Sequence, residues 1–132
     1  HFHPAPGKWN IHDQIAHLTR YQMIFQERIN LILSGRQPGF KRYDAEQDNE
    51  FAYWQNQSIE KLMERLVADR LNIIDLITRL GKEKLDMGGM HEKYGVLTVL
   101  QWTEFFLLHE AHHLYSIFQL ANNKDYRSRY IS

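Results

Sequence analysis

The chain has 132 residues, 43% hydrophobic and 24% charged, which is the balance of one ordinary globular domain. Its 16 basic side chains offset 16 acidic ones, which argues against the basic face of a nucleic-acid binder. It has no cysteine, hence no disulfide, thiolate ligand or nucleophilic thiol of its own, and no stretch nears the roughly 18 unbroken apolar residues of a membrane span.

Residues 1–9 read as an extended lead-in, because Pro4, Pro6 and Gly7 prevent regular structure. The opening HFHPAPGKWN lacks the basic-then-apolar order of a signal peptide, so a cytoplasmic location is expected. Asn10 is a plausible N-cap with Asp13 at the capping-box position. Ile11, Ile15, Leu18, Gln22, Phe25, Ile29 and Ile32 then recur at steps of four and three, which predicts a helix near 10–34 with one face turned into a bundle. Gly35, Pro38 and Gly39 stop it.

Over residues 40–57, Asp44 with Gln47 could cap a short helix through Trp54, and a loop is the alternative. Ser58 starts a second long helix, near 58–80, with Ile59, Met63, Leu66, Arg70, Ile73, Ile77 and Leu80 on its stripe and Gly81 at its end. Residues 82–97 hold Gly88, Gly89 and Gly95 and read as a long connection, since no run there alternates cleanly enough for a strand. Thr98 with Gln101 is a capping box for a third long helix, near 98–122. Its stripe is Trp102, Phe106, His109, His113, Ser116 and Leu120, and the polar tail NNKDYRSRYIS follows. The expected fold is all-α, one domain over 1–132. Three amphipathic helices want a fourth wall: the 44–55 segment, a partner chain or a further helix.

Eight histidines is a high count for this length. His109 and His113 lie four apart on a helix, about 40° apart around its axis and one turn apart along it, so both imidazoles can reach one cation. Both fall on the core stripe, where an uncharged imidazole needs a partner for each ring nitrogen. A metal would satisfy one nitrogen and a hydrogen bond the other; two core histidines bonded to Tyr or Glu are the alternative. The run His109-Glu110-Ala111-His112-His113 also matches the His-Glu-x-x-His zinc-protease pattern formally, with no third ligand shortly downstream. His17, on the flank of the first helix's stripe beside Tyr21, is the natural third ligand; a boundary histidine that binds nothing is the alternative. His12 is expected to face water, as are His1, His3 and His91, and His112 points about 60° away from His109.

Arg70 is a second anomaly, a guanidinium on a core stripe that needs a carboxylate or a polar cavity. Glu104 and Glu110 are its candidate partners; otherwise its stem covers apolar surface while its head reaches water. Gln22 is likewise polar on a core stripe. One shared internal polar site would explain the histidines, Arg70 and Gln22 together.

The segments WNIHDQIAHL and LTVLQWTEFFLLHEAHHLYSI resemble the two signature segments of the DinB/YfiT-like superfamily. Arg70 in a long helix and Tyr94-Gly95 before the last helix resemble it too, and the likeness spans most of 7–121. The resemblance implies an up-down-down-up four-helix bundle that binds a divalent metal, zinc or nickel, through His17, His109 and His113. The family has a helix before the Trp-containing start, and this sequence begins after it, so that helix is expected to be missing. Asn10 stands where Ser is usual.

The resemblance further implies a metal-dependent thiol S-transferase or hydrolase in stress or detoxification. A small-molecule substrate, and a low-molecular-weight thiol as cosubstrate, would be its partners. Arg70 and Glu110 are candidate catalytic residues, with Arg70 orienting an anionic substrate. A homodimer is expected, and a non-catalytic, dimerising metal-binding module that responds to stress is the alternative.

Overall fold

A computed structural model describes residues 9–124 of the chain. The expectations for His1, His3 and the last eight residues lie outside the described residues. Three long helices carry the architecture: α1 (Ile11–Leu33), α3 (Ile59–Thr78) and α5 (Val99–Asn122). Between them lie β1 (Gly39–Phe40), a 3-10 turn (Ala45–Gln47), α2 (Asn49–Gln55), α4 (Lys82–Leu85), β2 (Gly88–His91) and β3 (Gly95–Thr98).

The helix starts are fixed chemically. At α1 the Asn10 side chain accepts from the Asp13 amide at 2.8 Å, and Asp13 accepts from the Asn10 amide at 3.3 Å. At α5 Thr98 accepts from the Gln101 amide at 3.1 Å, and Gln101 accepts from the Thr98 amide at 2.9 Å. Each box satisfies two amide donors that a helix start otherwise leaves orphaned. The 3-10 turn and α2 are capped in turn by Asp44 and Asp48, so the single short helix expected from Asp44 is divided in two.

Two apolar clusters form the core. Tyr21, Phe25, Ile29 and Ile32 of α1 pack with Ile73 of α3 and Val99, Trp102 and Phe106 of α5. Ala16, Ala45, Phe51, Trp54 and Leu62 form a smaller cluster that docks α2. The expected stripe of α3 faces inward from Leu66 through Arg70, Ile73, Ile77 and Leu80, and departs only in the first turn, where Leu62 is fully buried while Ile59 and Met63 are exposed. The α2 segment does not cover the outer apolar face of the bundle. Met63, Val67, Leu71 and Ile74 on α3, and Leu107, Leu108, Leu114 and Phe118 on α5, remain exposed.

The expected connection over 82–97 is instead structured. It begins with α4 and continues as the β2–β3 hairpin, with β1 added in parallel to β2. The short strands lack clean alternation because glycine stands at Gly89, the most buried strand position, and also at Gly88 and Gly95. Gly95, at φ +74, takes the left-handed conformation that closes the hairpin. Gly89 pairs with Leu97 and gives its carbonyl to the Trp102 indole N–H at 3.1 Å. A Cβ at Gly89 would sit 2.9 Å from Ile32 Cγ1 and 3.0 Å from Phe40 Cε2. Gly89→Ala is therefore expected to cost about 1–3 kcal/mol through overpacking. Urea unfolding would read this as a lowered midpoint at unchanged m-value.

Candidate metal centre

His17 projects from the middle of α1 and is 4% exposed. His109 and His113, one turn apart on α5, meet it across the α1–α5 contact. One ligand atom from each of the three rings falls within 4.8 Å of the other two. The Nε2 atoms of His17 and His109 stand 3.4 Å apart. Two nitrogen ligands of a tetrahedral zinc-like ion, each about 2.0–2.1 Å from it, are separated by about 3.3–3.4 Å.

The surroundings hold the rings in the form that binds a cation. Burial lowers the His17 pKa from 6.5 to about 3, helped by the nearby charges of His113 and His109. Burial is also the leading cause at His109 and His113, each lowered to about 4; His113, His112 and Arg28 add to it at His109, and His112 at His113. All three rings are neutral at pH 7, as metal ligands must be. The His113 Nδ1–H donates to Gln14 Oε1 at 2.7 Å, which fixes the tautomer and leaves Nε2 free to face the cluster. The Nδ1 atoms of His17 and His109 are buried without a hydrogen-bond partner among the described residues. Two Nε2 atoms facing one another, with an unsatisfied nitrogen behind each, make a costly arrangement for an apolar core. The donor set fits a cation between the rings.

An aromatic shell encloses the cluster. The rings of Trp9, Tyr21, Tyr43 and Phe51 lie 5.0–6.0 Å from that of His17. Tyr43 donates to Asp48 at 2.6 Å, and Arg20 donates to the same carboxylate oxygen at 2.8 Å. Burial and the bond to Asp48 push the Tyr43 hydroxyl up. Burial pulls the other way at Asp48, but the bonds from Arg20 and Tyr43 hold its carboxyl below the usual range. The three imidazoles line an open cavity of about 850 Å³, walled by aromatic side chains.

The remaining candidates fall elsewhere. Arg70 donates to Gln22 Oε1 at 2.7 Å and forms an ion pair with Glu110, while Gln22 donates to the Leu66 carbonyl at 2.8 Å. The single polar site expected from the stripes is thus two: an imidazole cluster, and an Arg70–Gln22–Glu110 bridge tying α3 to α1 and α5. Neither Arg70 nor Glu110 lines the cavity. This removes the carboxylate that a His-Glu-x-x-His protease needs beside its metal, and the free guanidinium expected to orient a substrate. Glu104 is exposed, as is His112. His12 does not simply face water: its Nε2 lies 2.7 Å from the Gln57 carbonyl, which ties α1 to the end of α2. His91 is half-buried rather than solvated, packed at 5.1–5.4 Å from Phe105 and Trp102. Sequence reasoning missed Trp9, Gln14, Tyr43 and Arg28. Two of them carried a signal: Gln14 lies one turn before His17 on the same helix, and Trp9 opens the first signature segment.

The sequence model of the DinB superfamily matches residues 1–117. A protein of Oceanobacillus iheyensis bearing the name "putative metal-dependent hydrolase" is 28% identical over 123 residues, which cover 89% of this chain and 68% of that protein. The solved structure of YfiT from Bacillus subtilis is described as a probable metal-dependent hydrolase with an unusual four-helix bundle topology. It superposes with a TM-score of 0.76 at 19% identity, over 89% of this chain and 67% of its own. The fold is of that four-helix-bundle type. Among the described residues no helix is long and apolar enough to cross a membrane.

The depressed imidazoles make the ion-free protein acid-sensitive. Between pH 6.5 and about 4 the unfolded chain binds protons that the folded one refuses, so this stability is full above pH 6.5 and is lost as pH falls. The melting temperature of chelator-treated protein should drop from pH 7 to pH 5, and His17→Leu should flatten that slope. A melting temperature independent of pH in that window would contradict buried neutral rings.

Proposed function

This chain belongs to the DinB superfamily, and on that premise we propose that it is a metal-dependent enzyme. Its divalent ion, zinc or nickel, would be held by His17, His109 and His113. The observation that carries the reading is the 3.4 Å approach of two neutral, inward-facing imidazole nitrogens from residues 92 apart in sequence, on two different helices. Three neutral ligands leave a tetrahedral ion one open position, which suits catalysis better than a closed structural site. When bound there, a divalent ion lowers the pKa of a water to about 7 or deprotonates a thiol outright.

The chain's own residues supply the rest. Gln14 orients His113 through its Nδ1–H. Trp9, Phe51 and Tyr43 pack around the His17 ring at 5.0–6.0 Å and hold it in place. Tyr43 holds its phenolic proton on the bond to Asp48. Glu110 is held by Arg70 and is not available to take a proton in the cavity. The names carried by the Oceanobacillus and Bacillus relatives favour water as nucleophile, hence hydrolysis. The transfer reading uses the same position for a low-molecular-weight thiol, which must arrive as a cosubstrate because the chain has no cysteine. The cavity volume is within the range that accommodates small-molecule ligands.

Elemental analysis of untagged protein should find one equivalent of zinc or nickel. His17→Ala and His109→Ala should each abolish stoichiometric binding, and Gln14→Ala should weaken affinity by about 10–100-fold. Unchanged metal content in His17→Ala refutes the site. Ester hydrolysis and thiol consumption, assayed in parallel on the loaded protein, separate the two chemistries. Tight metal binding with turnover in neither assay would favour the non-catalytic module.

A further inference from the structure

The cavity that the imidazoles line also holds a guanidinium that the fold positions without an ion-pair partner among the described residues. Arg28 sits on α1, half-buried, and donates to the Lys41 carbonyl at 2.9 Å. Its guanidinium carbon lies 5.3 Å from the centre of the Phe40 ring and 5.6 Å from that of Trp102. The two rings stand nearly perpendicular, at 88°, so each holds the charge by a cation–π contact from a different direction. Among the described residues no carboxylate forms an ion pair with it, unlike Arg20, Arg65, Arg70 and Arg79. A guanidinium has five N–H donors, and Arg28 spends them sparingly: one on Lys41, with another in reach of the Tyr21 hydroxyl. Arg28 lines the same cavity as His17, His109 and His113.

The other charged groups of the cavity belong to its rim. Lys41, Arg42 and Lys93 are exposed, as are Asp44, Glu46 and Glu92. Two of those carboxylates are engaged with backbone: Asp44 accepts from the Glu46 amide at 3.0 Å, and Glu92 from the Arg42 amide at 3.3 Å. The interior wall between rim and imidazoles is aromatic, formed by Phe40, Tyr43, His91, Trp102 and Phe105. Arg28 is therefore the one full positive charge set into an apolar wall, beside the position where a reacting group would meet the imidazoles.

The geometry points to Arg28 as the anion anchor of this cavity, and to a substrate with a flat apolar body bearing a carboxylate or phosphate. The anionic group would accept from the Arg28 fork, and the body would lie against Phe40, Tyr43 and Phe105. The inference deepens the proposed metal-dependent activity, on which it rests only for where the reaction occurs. Anion recognition by Arg28 does not require the ion.

The test uses chelator-treated full-length protein, with benzoate, phenyl phosphate and benzyl alcohol as probes, followed by calorimetry and tryptophan fluorescence. Benzoate and phenyl phosphate should bind at least about tenfold more tightly than benzyl alcohol, because a charge-assisted forked contact is added to the same ring contact. Arg28→Gln should remove that preference, so that benzoate and phenyl phosphate bind no more tightly than benzyl alcohol. Arg28→Lys keeps the charge without the fork and should keep part of the preference; it serves as the readout if Arg28→Gln does not fold. Equal affinity for the charged and neutral probes, no binding of any of them, or an unaltered preference in either variant overturns the proposal. Because no metal is present, none of these outcomes depends on His17, His109 and His113 being ligands. Metal content of the same preparations before chelation tests that reading separately.

Discussion

Three imidazoles share one buried space, and they can do so only while uncharged. That constraint organises the molecule. It requires α1 and α5 to be fixed against each other closely, since sliding either helix by one residue would turn its histidine by about 100°. The two capping boxes set where each helix begins. The Phe25–Phe106 stack, at 4.3 Å between ring centres, and the Tyr21–Phe106 contact fix the pair in register just beyond the histidines. The aromatic shell then performs two tasks at once: it buries the rings, which depresses their proton affinity, and it holds them in place. Low proton affinity and high availability for a cation are two consequences of the same environment.

The Arg70–Gln22–Glu110 bridge solves a related problem on the other side of α5. A buried ion pair gains little net stability unless its remaining hydrogen-bonding capacity is met. Here the Gln22 amide completes the network, with its oxygen on Arg70 and its nitrogen on the Leu66 carbonyl. Glu110 follows His109 in sequence but turns toward α3, so one residue of α5 serves the imidazole cluster and the next serves the bridge. The bridge thus couples the orientation of α5 to α3 without contributing a charge to the cavity.

The small sheet is what converts a helix bundle with buried histidines into a bundle with a pocket. It places Phe40 and His91 beside Trp102 and forms the wall into which Arg28 is set. Gly89 makes this possible, because only a residue without Cβ lets β2 approach Ile32 and Phe40 so closely. The polarity of the pocket follows: imidazoles and a guanidinium held against two aromatic rings line it, with mixed charge at the rim.

The sequence by itself determined the three long helices and their caps, because period and capping chemistry are local. It also singled out His17, His109 and His113, because imidazoles at core positions of an amphipathic stripe contradict simple packing, and the paired motifs resembled one family. It fell short where the deciding contacts are distant. The hairpin was hidden because glycines suppress alternation. The separation of Arg70 and Gln22 from the imidazoles depended on which way side chains turn between packed helices. The isolation of Arg28 is invisible along the chain: it follows Glu27, and only the fold shows that no carboxylate among the described residues forms an ion pair with it. Local pattern fixes which groups are anomalous, whereas tertiary packing decides which anomalies meet, since partners in space may be far apart in sequence.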